Sequence, residues 1–251
     1  MDLTHVAQSA LHIVTEVGEF VAHEFYKPQQ VKQKGIRNPQ TDTDTNAERL
    51  LSAKLHELLP EAGFIREEEV GARGERYNWV IDPIDGTKYF STRCPLFYTQ
   101  IALLDGDEII FSAIYQPIAR QMFYAVKGRG AYMDHTRLYL GDDGPLSRAL
   151  VNLEIGHIGT DPYRTEVLSK LSIAAHRIHL ISGVLAPYVL TNTIQAYVKY
   201  CSVTQIYDIA PRLLLYTEAN AAVKKLDFHG TELMIVAHER LANEIEKTIC
   251  G

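Results

Sequence analysis

Asp82-Pro83-Ile84-Asp85-Gly86-Thr87 sets two carboxylates on either side of a proline and follows them at once with a Gly-Thr turn. The preceding Asn78-Trp79-Val80-Ile81 reads as a buried strand. The strand therefore carries the carboxylates to the mouth of the fold, and the glycine turn leaves backbone N–H groups exposed there. Carboxylates beside open amides suit divalent cations and a phosphate in one place. A phosphate bridging metal ions is the arrangement that metal-assisted phosphoester hydrolysis needs. A plain turn between strands would be poorly served by two acids flanking a proline.

Other acids stand at the ends of elements, where side chains can converge on a cleft. Asp42 and Asp44 lie at the start of a second helix, Glu67-Glu68-Glu69 end the Phe64-Ile65 strand, and Asp208 opens the Ile206–Ala219 helix. Each also has a plainer use. Asp44 suits a helix N-cap, three consecutive glutamates suit a solvated turn, and Asp208 is favoured by the helix dipole alone.

The elements that must position these residues follow from periodicity. Leu3, Val6, Ala10, Val14, Val17 and Val21 recur at helical spacing, which predicts an amphipathic helix over 2–25. A polar loop is expected over Lys27–Pro39. A second helix, capped by Thr43 or Asp44, runs through Leu59 to its stop at Pro60. Short strand-like runs come next: Phe64-Ile65, Tyr77–Ile81, Tyr98–Leu104, Glu108–Tyr115 and Gln121–Val126. Asp105-Gly106-Asp107 and Lys127-Gly128-Arg129-Gly130 read as hairpin turns; the latter lacks the third glycine of a dinucleotide loop. Two helices on a mostly antiparallel sheet result.

The second half alternates. Strands are expected at Arg148–Leu153, Ile178–Ile181, Gln195–Tyr200, Ala221–Val223 and Glu232–Val236. Helices are expected from Thr160-Asp161-Pro162 to about Ala174, from Ser182-Gly183 to about Thr191, over Ile206–Ala219 and over Glu239–Thr248. The reading is a single domain over 1–251, with pseudo-halves of about 1–147 and 148–251.

Composition narrows the class. The 251 residues, 46% of them hydrophobic, allow a sizeable core without staples. A net charge of −6 argues against nucleic acid as the main ligand. Cys94, Cys201 and Cys250 show no C-x-x-C spacing, so reduced thiols are expected. Met1 to Phe25 lacks the basic start and continuous apolar run of a signal peptide, and no stretch has the length of an apolar membrane span. A cytoplasmic protein with no membrane contact is expected.

Trp79-Val80-Ile81-Asp82-Pro83-Ile84-Asp85-Gly86-Thr87, with Phe90 after it, resembles the signature of the inositol monophosphatase family. The wider group includes fructose-bisphosphate, histidinol-phosphate, NADP and adenosine-bisphosphate phosphatases. Phe64-Ile65-Arg66-Glu67-Glu68 resembles that family's strand-ending Gly-Glu-Glu motif, Thr41-Asp42-Thr43-Asp44 its Thr-x-x-Asp, and Tyr207-Asp208-Ile209-Ala210 its Trp-Asp-x-Ala-Ala-Gly. Four motifs in the right order cover nearly the whole chain.

The resemblance implies an α/β (α+β) fold, a layered αβαβα sandwich of the inositol monophosphatase/fructose-bisphosphatase type. It implies hydrolysis of a small-molecule phosphate monoester, inositol 1-phosphate foremost, with two or three Mg²⁺, sensitivity to Li⁺ and a homodimer. Glu67, Asp82, the Ile84 carbonyl and Asp85 would hold Mg²⁺, with Asp208 joining for a second ion. Thr87 with Asp44, or else Glu67, would orient and deprotonate the attacking water. Asp85, Asp208 and the Gly86 and Thr87 amides would meet the phosphate. Ser182-Gly183, opening a helix after a strand, offers a hydroxyl and amides to the rest of the substrate.

Several residues depart from the family pattern. Arg66 replaces the glycine before the glutamate pair, which leaves both Glu67 and Glu68 as ligand candidates, Glu67 preferred. Cys201 stands where the inositol phosphatases place a glutamate for ring hydroxyls, and a thiol is a poor hydroxyl partner. Lys88 makes Asp-Gly-Thr-Lys, which also occurs in relatives acting on adenosine 3′,5′-bisphosphate. Adenosine 3′,5′-bisphosphate and fructose 1,6-bisphosphate are therefore alternative substrates. A regulatory protein- or RNA-binding role with secondary catalysis is the alternative of another class.

Overall fold

The computed structural model of the chain describes residues 1–251 except 36, 37, 143, 157, 158, 160 and 202–204, and describes no side chains over 33–38. It divides into two compact units, Met1–Arg137 with Gln205–Leu215, and Leu138–Thr204 with Tyr216–Gly251.

In the first unit, α1 (Leu3–Phe25) is capped by Asp2, whose carboxylate accepts from the Thr4 and His5 N–H groups. Its predicted apolar stripe, Val6, Ala10, Val14, Val17 and Val21, is buried. The expected polar loop instead contains an antiparallel hairpin, β1 (Val31–Gly35) and β2 (Asn38–Thr41). Its sequence lacks the apolar alternation that announces a half-buried strand, so backbone pairing alone defines it.

Helix α2 (Asp42–Leu58) begins at Thr41, not at Thr43 or Asp44. Thr41 is the extended N-cap residue and Asp44 the third helical residue of a reciprocal capping box.

A seven-stranded sheet follows the order β3 (Gly63–Arg66), β4 (Tyr77–Asp85), β5 (Tyr98–Asp105), β6 (Glu108–Gln116), β7 (Gln121–Val126), β8 (Gly130–Met133) and β9 (Thr136–Leu138), with the short helix α3 (Thr87–Ser91) between β4 and β5. β3 runs parallel to β4, and β4 to β8 pair antiparallel. Both expected hairpins form, joining Asp105 to Glu108 and Val126 to Gly130.

β4 is covered on both sides. Trp79 and Ile81 pack into the core with α1 and α2, while Val80 packs with Ala102, Leu104 and Ala210 on the other face. This two-sided burial explains why its sequence is a continuous apolar run instead of an alternation.

The second unit holds a five-stranded sheet and its helices. In chain order these are β10 (Leu150–Glu154), α4 (Pro162–Ala174), β11 (Arg177–His179) and β12 (Ala196–Tyr200), then α5 (Ile206–Glu218), whose first turns belong to the first unit, and β13 (Ala222–Phe228), β14 (Thr231–Ala237) and α6 (Glu239–Cys250). The sheet order is β11-β10-β12-β14-β13, with β10 parallel to β11 and β12.

Asp161 caps α4 with Pro162 in its first turn, as expected; Thr160 lies outside the described residues. The helix expected from Ser182-Gly183 is a 3₁₀ segment, Gly183–Thr191, with Pro187 inside it. Proline lacks the N–H that an α-helix needs there. The strand expected at Ala221–Val223 extends to Phe228 because β14 pairs with its whole length. Among the described residues no helix is long and apolar enough to cross a membrane.

Candidate active site

In a regular strand Asp82 and Asp85 would point to opposite faces, because side chains alternate with a period of two. The pairing of β4 with β5 breaks that alternation. Asp82 lies opposite Gln100 and Asp85 opposite Tyr98, so β4 carries one more residue than β5 between these partners. This β-bulge re-aims Asp85. Pro83 fits such a position because it has no N–H for the ladder. Its carbonyl is held instead by the buried Thr99, whose hydroxyl donates to it at 3.0 Å. Asp82 and Asp85 are thereby close enough for each charge to act on the other.

Asp82 is 1% exposed. Its Oδ2 accepts from Gln100 Nε2 at 2.8 Å, while its buried Oδ1 has no hydrogen-bond partner among the described residues. Burial, reinforced by the neighbouring Glu67, Asp85 and Asp208 carboxylates, holds the Asp82 carboxyl well above the usual range. Gln100 also donates to the Tyr207 carbonyl at 3.2 Å, which ties β5 to the start of α5.

Beyond Asp85, Gly86 has φ 93° and ψ 34°, a left-handed turn that favours glycine. It opens α3, where Tyr89 N–H donates to the Gly86 carbonyl at 2.8 Å. The first N–H groups of a helix have no partner within it.

Thr87 Oγ1 lies 2.9 Å from Asp44 Oδ1 and 3.0 Å from the Ile84 carbonyl, so its single proton can go to either acceptor. Asp44 is fully buried. Its Oδ2 accepts from Thr41 N–H at 2.8 Å and from the Thr41 hydroxyl. Burial pushes its carboxyl up to about 6, against the lowering effect of these hydrogen bonds.

The three glutamates diverge. Glu67 acts on Asp82 through both charge and a side-chain contact. Glu68 receives a hydrogen bond from Gln40 and bears electrostatically on Asp44. Glu69 turns away to Arg49 and Arg66. Among these, Glu67 is the one placed against Asp82. Asp208 occupies the third position of α5, and its carboxylate accepts from Gln205 N–H at 3.0 Å. Asp44 and Asp208 therefore share a position: each is the third residue of its helix, bonded back to the residue before it.

Ser182 and Gly183 belong to the second unit, where Ser182 precedes the 3₁₀ segment and Gly183 is buried. In that unit the Cys201 thiol donates to the Lys199 carbonyl at 3.6 Å, and Lys199 pairs with Glu154 at 3.2 Å.

Three residues of the first unit were missed by sequence reasoning. Glu48 is fully buried and accepts from the Glu68 and Glu69 N–H groups at 2.7 and 2.9 Å, fixing the turn that presents Glu67. Its signal was a carboxylate on the helix stripe shared with Asp44, Leu51 and Leu55. Gln100 is a buried amide inside an apolar strand. Arg212, 3% exposed, donates through Nη2 to Asp85 Oδ2. Its signal was its place four residues after Asp208 on one helix face.

The donor set suits a hard cation. It consists of oxygens, is rich in like charge, and contains a buried carboxylate oxygen with no hydrogen-bond partner among the described residues. As they stand, no three acidic, histidine or cysteine side chains among the described residues are arranged to hold an ion. Asp82 is bonded to Gln100, Asp208 to Gln205 and Asp85 to Arg212. Ion binding would therefore need these side chains to shift onto a shared centre.

The profile of the inositol monophosphatase family matches residues 2–249. Inositol monophosphatase 1 of Homo sapiens is 30% identical over 224 residues, covering 83% of this chain and 80% of that protein. Inositol monophosphatase 2 of Solanum lycopersicum is 30% identical over 153 residues, and that match spans only 58% of its length. Among solved structures, the extragenic suppressor protein suhB of Bartonella henselae superposes with a TM-score of 0.90 at 21% identity, covering 98% of both chains. The Thermotoga maritima IMPase gives 0.85 at 21% identity, covering 96% of this chain and 94% of that one. The mixed α/β architecture of these structures is the fold expected from the sequence.

Proposed function

Since this chain belongs to the inositol monophosphatase family, we propose that it is a Mg²⁺-dependent hydrolase of small-molecule phosphate monoesters of the inositol 1-phosphate type. The observation that carries the reading is Asp82, a buried carboxylate with one oxygen that has no hydrogen-bond partner among the described residues, pressed by Glu67, Asp85 and Asp208. Only a cation relieves such a cluster while it stays ionised. Glu67, Asp82, the Ile84 carbonyl, Asp85 and Asp208 are the proposed ion-holding groups. Two or three Mg²⁺ there would neutralise phosphate charge and acidify a water molecule.

The protein's own part is positioning and proton transfer. The Thr87 hydroxyl, donating to Asp44 or to the Ile84 carbonyl, keeps lone pairs to accept a proton from the attacking water. Asp44, with its carboxyl near 6, is suited to take that proton close to neutral pH. The hydrogen bond between Thr87 and Asp44 supports this pair, with Glu67 as the alternative base. The Gly86 and Thr87 amides, at the start of α3, hold the phosphate oxygens.

A second substrate reading has its own support. Cys201 replaces the ring-binding glutamate, and a Thermotoga maritima relative, 24% identical over 227 residues, is named fructose-1,6-bisphosphatase/inositol-1-monophosphatase. A cytoplasmic homodimer sensitive to Li⁺ belongs to the proposal on family resemblance, and sedimentation and Li⁺ titration measure those features. The deciding experiment compares phosphate release from inositol 1-phosphate, fructose 1,6-bisphosphate, adenosine 3′,5′-bisphosphate and histidinol phosphate. Preference for the first supports the leading reading. Silence on all four with Mg²⁺ present refutes it in favour of a binding protein.

A further inference from the structure

Asp85 is counted above among the ion-holding groups, yet it already has a cationic partner. Arg212 Nη2 donates to Asp85 Oδ2, and the Arg212 side chain is 4% exposed. We propose that Arg212 is a resident cation of this site. Its guanidinium occupies the place on Asp85 that a divalent ion would otherwise take, so ion binding is confined to the side formed by Glu67, Asp82 and Asp208. The proposal rests on the metal-dependent reading and revises one ligand within it.

Three observations converge on it. The first is burial. A guanidinium stays protonated at any working pH, so at this depth it must be neutralised where it lies. The second is construction. Asp208 and Arg212 are four residues apart on α5, hence on one helix face, so the helix that brings an acid to the cluster brings the guanidinium with it.

The third is the contrast between the two carboxylates of β4. Among the described residues Asp82 Oδ1 has no hydrogen-bond partner, and neighbouring acids press on this carboxylate, so its demand for a cation is unmet. At Asp85 that demand is met by the protein. An ion placed on Asp85 Oδ2 would sit within a few ångströms of a fixed positive charge, and the repulsion is weakly screened in a buried setting. The planar guanidinium fork suits a carboxylate on one edge and a phosphate on another. Part of the charge neutralisation at a bound phosphate would then come from the chain itself.

The test is an ion count. The full-length protein is stripped with chelator and titrated with Mn²⁺, a paramagnetic stand-in for Mg²⁺, in the presence of inorganic phosphate, and bound ions are counted by electron paramagnetic resonance. Arg212→Ala and Arg212→Gln are each expected to bind one more Mn²⁺ per chain than the parent. Asp85→Asn alone is expected to leave the count unchanged, and combined with Arg212→Ala to abolish the added ion. Arg212→Gln keeps part of the stem and serves where alanine does not fold. Asp85→Asn reads the same point independently.

An equal count in the parent and in the folded Arg212 variants overturns the proposal while leaving metal-dependent catalysis intact. So does loss of an ion from the parent on Asp85→Asn. A parent chain that binds no Mn²⁺ overturns both this proposal and the metal-dependent reading beneath it.

Discussion

Asp82 and Asp85 flank the same bulge of the same strand, yet they meet opposite surroundings. Asp82 points into a space already holding Glu67 and Asp208, with the neutral Gln100 amide donating to it. Asp85 receives a buried arginine. The register shift turns both toward one region, and what then differs is what α5 brings to each: Asp208 on one side, Arg212 on the other. One strand thus presents a buried carboxylate pressed by other acids beside one paired with a buried arginine. Proximity of acids does not by itself make each of them a metal ligand.

The largest effect should come from Asp82. Replacing it with asparagine removes one buried negative charge and the partnerless oxygen's affinity for a cation. Phosphate release from the best monoester should fall by about a thousandfold, or ~4 kcal/mol of transition-state stabilisation. The metal-free protein should melt no lower than the parent, since a buried like charge has gone. Parent-like turnover at limiting Mg²⁺ would remove Asp82 from the ion set.

Arg212→Ala should act in the opposite sense on stability. It leaves Asp85 among other acids without its partner, and the metal-free protein should lose about 3 kcal/mol in urea unfolding. Added Mg²⁺ should restore most of that loss. A variant as stable as the parent in chelator would show that the pair contributes little and would erase the contrast with Asp82.

Asp44 gives a pH signature. Its folded-state value of about 6 lies above its ordinary 3.8. Folding therefore favours the protonated form, and this stabilisation is complete below about pH 4 and lost as pH rises through about 6. Between about pH 5 and about pH 7.5 the metal-free parent should lose roughly 1–2 kcal/mol relative to Asp44→Asn. Urea unfolding of the two proteins in chelator measures it, and parallel pH profiles would contradict the assignment.

The smallest effect expected is that of Gln100→Leu. It withdraws the amide from Asp82 Oδ2 and should shift stability by about 1 kcal/mol. The Mg²⁺ concentration for half-maximal activity should move by no more than about tenfold, because the ion itself provides most of the neutralisation. A much larger shift would mean that the amide, and not like-charge pressure, sets the ion affinity of Asp82.

Local signals were the legible part of this molecule. The helical stripe of α1, the hairpin turns and the Asp82–Thr87 segment are written in consecutive residues, and the sequence located them. Partnership across the fold was harder to read. Asp44 looked like a helix cap, but it is the third residue of a capping box and bonds Thr87, which lies far along the chain. Glu48, Gln100 and Arg212 owe their places to burial and strand register, which no short window of sequence encodes. The β1–β2 hairpin carries no apolar alternation, so its residues read as a polar loop. The choice among Glu67, Glu68 and Glu69 likewise depended on where each side chain turns after β3.

The central claim is metal-dependent monoester hydrolysis, and the most direct measurement is phosphate release by the purified chain with Mg²⁺, after chelation, and after Mg²⁺ is restored. Release that stops with chelator and returns with Mg²⁺ is the predicted result. Release indifferent to chelation, or none from any of the four monoesters, would contradict the account.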